Sequence, residues 1–518
     1  MIEKYLNNSF FTLYFLPFFL GCLAVLSFQP FNFTFINFFI LSFLFYLIIF
    51  INKKSKNFYR KKPYKKNLFI FGTAFGFGYY LSGVHWITHS LTFNDSFKIL
   101  IPFALILIPL FLSLFFSLTI LLTGPLLKQN LSSIFLFSGS LAFSDFLRSK
   151  ILTGFPWNLW VYSFSSSIEI LQILNKLGLF AFNLIIISIF MMPSIIFFKI
   201  KLSQKLSVIF LIPVVLFIFY IYGSYSINEN KQKLISVKEK FNVKVISPNF
   251  ELKYGLSKDE IKNRLIKLIR FSDPLQNQKT LFIWPEGVFS GYSYKEVLEF
   301  EKNFSENFQK EHYILFGVNK LNKDQTGFYN TLVVVNNKME IIQEYKKQKL
   351  VPFGEFLPFE KILNKTGLKK ITEGQGSFLK GDSQSNISLN KLNFLPLICY
   401  ELIFTKFIQK SQENTNLIIN ISEDGWFGNS IGPHQHFAKA SFRAIEHNSF
   451  LIRSANKGVS AIINNKGEII KMLKPNEAGS IELNVPLVKS NNKIKNDLIF
   501  YILLITYILL FIFNKTKQ

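Results

Sequence analysis

Cysteine is nearly absent from this chain, with two in 518 residues. Two cannot build a disulfide framework. Cys22 lies inside an apolar run, which leaves Cys399 as the lone thiol of the polar part. Acidic residues are scarce too: 32 stand against 58 lysines and arginines, a net charge of +26. Nucleic acid is one partner for such a charge. The basic residues, however, sit in short clusters beside apolar spans, where they set topology instead, so no nucleic-acid partner is expected. No small-residue cleavage site follows the first apolar run, and a second begins almost at once, which excludes a simple signal peptide. What is abundant is phenylalanine, 63 residues, and the mean hydropathy is positive at +0.28. That composition is ordinary for a membrane protein and unusual for a soluble enzyme.

The polarity divides the chain. Residues 1–223 are mostly apolar, and the runs at about 10–28, 31–51, 67–90, 99–123, 131–147, 168–198 and 205–223 come near the ~20 residues that cross a bilayer. The run at 131–147 is the weakest, closing on Asp145. Pro109 and Pro193 are candidate kinks. Residues 224–497 contain no such run, and 498–513 form one more. The loop 52–66 carries eight lysines or arginines and no acid, and 199–205 carries three lysines. The positive-inside rule puts both in the cytoplasm. Seven spans (1–223) then deliver a polar domain (224–497) to the outer face, and an eighth span with a short cytoplasmic tail (498–518) closes the chain. Arg148 and Lys150 fall on the wrong side of this scheme and are read as candidates to serve the site. His85, Trp86 and His89 are read as interfacial anchors.

The polar domain alternates short strands and helices. Strands are expected at 242–247, 280–284, 313–319, 330–336, 394–400, 416–422, 449–455 and 459–464, with helices at 257–272, 295–308 and 435–448. Ser257 and Glu260 make a capping box for the first of these helices. The alternation predicts a layered α/β domain with strands buried on both faces. Three strand ends carry reactive groups: Glu286 in "LFIWPEG", Lys347 and Glu355 in "EYKKQKLVPFGE", and Cys399 in "PLICYE". A carboxylate can take a thiol proton and return it to a leaving group. An ammonium nearby favours the thiolate and stabilises an oxyanion. Against this, a single cysteine at a strand end is usually a core thiol, a Glu after Trp-Pro can cap a helix, and clustered lysines can be a solvated face. His434 and His436 are read as packing or hydrogen-bonding residues rather than metal ligands, and Arg443 with Glu446 as a structural ion pair.

Glu286, Lys347 and Cys399 resemble the Glu-Lys-Cys triad of the nitrilase (carbon–nitrogen hydrolase) superfamily. With the apolar spans, nearly the whole chain resembles the apolipoprotein N-acyltransferase family. "GFPWN" (154–158), "WPEG" (284–287), "LVPFGEFLP" (350–358), "CYE" (399–401), "ISEDGWFGNSIGPHQHFAKASFRAIEHN" (421–448) and "RSANKGVSAIIN" (453–464) follow the order of the family's blocks. The resemblance implies a polytopic α-helical membrane domain, seven spans plus one, with an extracytoplasmic nitrilase-like αββα domain in a bacterial inner membrane. It implies Cys399 as nucleophile, Glu286 as general base and Lys347 as catalytic lysine, with Glu355, Tyr400 and Glu401 as supporting residues. Tyr254 stands where the family often has Trp. The implied reaction is ping-pong transfer of a fatty acyl chain from a membrane phospholipid, through a thioester, to the α-amine of a diacylglyceryl-cysteine on an apolipoprotein. The implied partners are that phospholipid, the diacylated apolipoprotein and the bilayer, with no metal or organic cofactor, and the protein is read as a monomer. The segment 354–367, with Phe356, Leu357, Phe359, Ile362 and Leu363, is expected to dip into the membrane interface. Two other functions fit parts of the sequence. One is a membrane-anchored amidase using the same triad on a small amide. The other is a transporter with a decayed outer domain, which the scarcity of charge inside the spans opposes.

Overall fold

The structure is a computed structural model that describes residues 6–58, 63–360, 377–382, 386–410, 414–488 and 497–516. The chain divides into two units, Met1–Thr88 with Lys98–Ser226 and Asn496–Gln518, and His89–Phe97 with Ile227–Lys495.

The first unit is helical. Among the described residues, Ile36–Lys54, Ile101–Leu126, Leu179–Phe197 and Leu202–Ser236 are long and apolar enough to cross a membrane, and Phe11–Ser27 and Leu498–Asn514 are shorter apolar helices. Phe210, Phe217 and Ile218 on the long last helix of the first set are more than half exposed. Apolar surface on that scale is stable in lipid rather than in water, so this is a membrane protein. Spacing explains the tightest packing. Gly72 and Gly76 sit one turn apart on Pro63–Val84, and Ser113 and Ser117 sit one turn apart on Ile101–Thr123. A Cβ on either glycine would lie 2.7–2.8 Å from a serine Cα, so the backbones touch there.

Several boundaries differ from the expected spans. The expected run at 31–51 becomes a helix only at Ile36, after a turn in which Asn32 has a positive φ of 61°. The run at 168–198 is broken into Ile168–Leu171, Leu174–Leu177 and Leu179–Met191, because Gly178 adopts φ 79° and restarts the helix. At Pro193 the α-helix gives way to a 3-10 segment, Met192–Phe197, whereas Pro109 lies inside a continuous helix. Arg148 and Lys150 are engaged within this unit. Arg148 Nη2 meets Asp145 Oδ1 at 2.8 Å, and Asn183 Nδ2 donates to Asp145 Oδ2 at 3.0 Å. Lys150 pairs with Asp497 at 3.4 Å. A charge buried among apolar helices persists only when paired in this way. Trp86 is no interfacial anchor: it is buried, with its ring 4.6 Å from that of Trp157.

The second unit stacks two six-stranded sheets. One runs β12-β1-β2-β3-β4-β5, from Gly479–Pro486, Lys240–Ser247, Thr280–Ile283, His312–Leu321, Phe328–Val335 and Ile341–Lys346. The other runs β11-β10-β9-β8-β7-β6, from Ile469–Leu473, Ser460–Ile463, Phe450–Asn456, Leu417–Glu423, Leu392–Ile398 and Ile387–Leu389. Both sheets are mixed, with parallel pairs at the centre (β1 with β2, β2 with β3, β7 with β8, β8 with β9). Alternation aims Val243, Leu281, Leu332 and Val334 of one sheet at Phe394, Ile419, Ile421 and Ile452 of the other, forming the inner core. The opposite parity of the first sheet, Phe282, Ile314 and Phe316, packs on Ile261, Leu265 and Leu268 of helix Lys258–Ser272. That helix starts at the expected capping box. The arrangement is the layered α/β architecture expected, and the strand ends of both sheets carry the reactive residues.

Candidate active site

Glu286, Lys347 and Glu355 come together as one buried polar cluster. Glu286 follows β2, Lys347 follows β5, and Glu355 lies in the turn after it. Lys347 Nζ is 2.9 Å from Glu355 Oε1 and 3.3 Å from Glu286 Oε1. Asn330, on β4, donates its amide to both carboxylates at 2.7 Å. Glu355 Oε2 accepts from the Val351 N–H at 2.9 Å, and Glu286 Oε2 from the Glu423 N–H at 3.1 Å. Lys347 is 1 % exposed. Burial alone disfavours its ammonium, but Glu286 and Glu355 outweigh that and raise its pKa, so it is a fixed cation. Gly317 on β3 makes room for Glu286, since a Cβ there would lie 3.0 Å from Glu286 Cα.

Cys399 follows β7 with φ 48°, a left-handed conformation that costs a non-glycine residue about 1–3 kcal/mol. Glu401 offsets that cost. Its Oε2 accepts from the Ile398 N–H at 2.9 Å, and its Oε1 accepts from the Gln348 and Lys349 N–H groups at 2.8 and 3.0 Å. Tyr345 donates its hydroxyl to the same carboxylate. Glu401 thus clasps the cysteine turn to the lysine loop, and burial pushes its carboxyl up to about 7. Burial also pushes the Cys399 thiol well above its ordinary value. The negative charge of Glu286 adds to this, while Lys347 pulls the other way. The resting group is therefore a neutral thiol under the influence of both a carboxylate and an ammonium. A thiol, a carboxylate and a fixed ammonium are groups that can together attack an acyl carbonyl.

The other sequence candidates make contacts of their own. Tyr400 stacks edge-on against Phe404 at 5.1 Å. Tyr254 packs 6.1 Å from Trp426, whose other neighbour is Phe93 at 5.2 Å. His436 is a hydrogen-bonding residue, with Nδ1 3.1 Å from Asp424 Oδ1, and Arg453 meets Asp424 Oδ2 at 2.7 Å. Arg443 and Glu446 pair at 2.9 Å. No group of three or more metal-ligating side chains occurs among the described residues. Sequence reasoning missed Asn330 and Glu423. Asn330 carried a signal, since it shares strand parity with core residues Leu332 and Val334. Glu423 is buried beside Glu286, takes bonds from Asn456 and the Gly425 N–H, and burial pushes its carboxyl up to about 8.

The Asp424 network has a pH consequence. Burial alone would raise the Asp424 carboxyl, but Arg453 and His436 hold it below the usual carboxylate range. Burial, helped by Arg453, pushes His436 down to about 4, and burial alone does the same to His447. An unfolded chain binds these protons near pH 6.5, so stability is full above that pH and is lost as pH falls toward 4. Each histidine contributes on the order of 3 kcal/mol across that window. Glu401 and Glu423, whose carboxyls are raised, bind protons preferentially in the fold and act in the opposite direction across the same window. The histidine contribution is therefore read as a difference: the thermal midpoint of the detergent-solubilised protein is expected to lose less between pH 6.5 and 4.5 in His447→Gln than in the wild type. Parallel profiles in the two proteins would contradict it.

Comparison with known proteins adds the following. Residues 20–192 match the apolipoprotein N-acyltransferase N-terminal domain, and residues 253–491 match the carbon-nitrogen hydrolase family. An apolipoprotein N-acyltransferase of Rickettsia typhi is 32% identical over 514 residues, covering 96% of this chain and 98% of that protein. One from Rhodopseudomonas palustris is 30% identical over 430 residues, 80% of each chain. Among solved structures, a CN-hydrolase superfamily protein of Xanthomonas campestris, XC1258, aligns with 48% of this chain and 91% of its own at 15% identity and TM-score 0.35.

Proposed function

The chain belongs to the apolipoprotein N-acyltransferase family and is an acyltransferase of lipoprotein maturation, and we propose that it works through a thioester on Cys399. Its substrates are in general a phospholipid donor and a lipoprotein acceptor. Glu286 takes the Cys399 proton as the thiol sulfur attacks an acyl ester carbonyl of the phospholipid, at sn-1. The tetrahedral oxyanion is stabilised by Lys347 and by a backbone N–H near Tyr400. Collapse releases the lysophospholipid, whose alkoxide takes the proton from Glu286. The α-amine of the diacylglyceryl-cysteine then attacks the thioester, Glu286 takes the amine proton, and the thiol is regenerated as the amide forms. Glu355 and Asn330 position the ammonium, and Glu401 positions the cysteine turn. The observation that carries this reading is the buried ammonium of Lys347 held between two carboxylates, bearing with one of them on a buried thiol.

The proposed topology has a cytoplasmic N-terminus, seven spans within 1–223, the catalytic domain 224–497 on the periplasmic face of a bacterial inner membrane, and a last span within 498–518. The enzyme acts as a monomer. Lipid substrates require the site to meet the bilayer surface. Phe353 and Phe359 support this, being 50% and 69% exposed in the loop that carries Glu355. Leu357 is buried, contrary to expectation, and Ile362 and Leu363 lie outside the described residues. Replacing Phe353 and Phe359 with serine is expected to slow acylation by bilayer phospholipid several-fold while sparing a short-chain soluble donor. Equal rates on bilayers would contradict the loop's role.

The direct test incubates the purified enzyme with phospholipid labelled in its sn-1 chain and a diacylated lipopeptide. The expected product is N-acylated lipopeptide carrying the label. Labelled free fatty acid alone would favour the hydrolase alternative.

A further inference from the structure

The chain after β5 turns back beside the candidate site and brings lysines with it. The Gly381 N–H donates to the Lys347 carbonyl at 2.9 Å, which sets Lys380 next to the lysine loop. Lys349 Nζ lies 4.8 Å from the centre of the Phe404 ring, and Lys406 Nζ lies 5.9 Å from the same centre. That ring touches Tyr400, the residue after Cys399. Two ammoniums therefore share one aromatic ring one side chain away from the nucleophile's turn.

Two carboxylates beside this loop are committed elsewhere, and Asp382, two residues after Lys380, is exposed. Glu355 is bound by Lys347 and Asn330, and Glu401 by Tyr345 and three backbone N–H groups. The Lys349 and Lys380 side chains make no ion pair among the described residues, and Lys349 is only half exposed. Burial, then the charges of Lys406 and Lys380, push the Lys349 ammonium down to about 8. A solvated lysine face spreads its charges into water. Here Lys349 and Lys406, both partly buried, meet at one buried ring with Lys380 exposed on the neighbouring segment, an arrangement that a bound anion would relieve.

We propose that Lys349, Lys380 and Lys406 form the site that holds the phosphodiester of the donor phospholipid, so that its glycerol esters reach Cys399. The inference rests on the acyl-transfer reading and names the feature of the donor that is recognised. Lysine serves phosphate as a compact point charge, so the site takes phospholipids of differing headgroup and favours them over a diacylglycerol, which has no phosphate.

The test uses the full-length enzyme in mixed micelles and follows acylation of Cys399 by intact mass. Phosphatidylglycerol, phosphatidylethanolamine and diacylglycerol with identical acyl chains are the donors, and K349Q/K380Q/K406Q is compared with wild type. The triple variant is expected to need about tenfold more of either phospholipid for half-maximal rate, a factor worth ~1.4 kcal/mol. Its rate with diacylglycerol and its discharge by a diacylated lipopeptide amine stay at the wild-type level, and arginine at the three positions restores phospholipid use. Equal losses with all donors, or none, overturn the inference. So does a variant that loses inhibition by inorganic phosphate while its phospholipid dependence is unchanged, since the cluster would then be a free-anion site. A wild type that forms no acyl thioester with any donor sinks the acyl-transfer reading itself, which the variant comparison alone cannot do.

Discussion

Cys399→Ala is expected to abolish acyl transfer, by about 10⁴-fold or more, since removing the nucleophile of a covalent mechanism leaves only binding and oxyanion stabilisation. The substitution is conservative for the fold. Alanine keeps the Cβ, and the left-handed turn is held by the Glu401 carboxylate rather than by the thiol. A buried sulfur lost from an inner core of aliphatic side chains leaves a small cavity, with a cost of about 1–2 kcal/mol. The thermal midpoint is therefore expected to shift by a few degrees while activity disappears. Comparable activity in the alanine variant would make Cys399 an ordinary buried thiol. A collapse of the midpoint together with activity would assign it a structural role instead.

Glu286→Gln has the second-largest expected effect, and it separates two influences of one side chain. The Glu286 charge is one of the forces that raise the Cys399 thiol pKa. Removing that charge leaves burial opposed by Lys347, so the thiolate becomes easier to form. The same change removes the proton acceptor, which contributes typically about 10²–10⁴-fold to a rate. The variant should therefore show a thiol that titrates at lower pH and yet an acylation rate down by about 10³-fold. The shape is also preserved, because Gln can still accept from Asn330 or the Glu423 N–H. Titration of Cys399 by alkylation across pH, read beside single-turnover acylation, measures both. A rate that rises as the thiol pKa falls would show that thiolate population, rather than proton transfer to Glu286, controls the chemistry.

Much of this site was legible because its chemistry sits at strand ends. "LFIW", "EYK" and "PLI" are apolar or alternating runs that stop where Glu286, Lys347 and Cys399 begin, and strand ends are where sheets present side chains to ligands. The partners were harder to read. Asn330 and Glu423 lie on strands and reach Glu286 only through the tertiary fold, with Glu423 contributing a backbone N–H that no side-chain pattern reveals. The four strands that went unread have local causes. β5 and β11 show mostly exposed or half-exposed residues without clean alternation, β6 is three residues long, and β12 is a half-exposed strand that, among the described residues, pairs with β1 alone. The helix expected at 295–308 is three pieces, with a 3-10 turn at Leu298–Phe300 that lets Val297, Phe300 and Phe304 all face the outer core. In the membrane unit, hydropathy marked where apolar helices lie, but their ends follow Asn32, Gly178 and Pro193, which act through backbone geometry.

The most direct test of the central claim is the intact mass of the purified enzyme after incubation with phospholipid. The account predicts a single fatty-acyl adduct on Cys399, absent from Cys399→Ala and discharged by the amine of a diacylated lipopeptide with formation of the N-acyl product. An active, folded enzyme that carries no adduct, or one whose adduct is released by water and never by the amine, would contradict it.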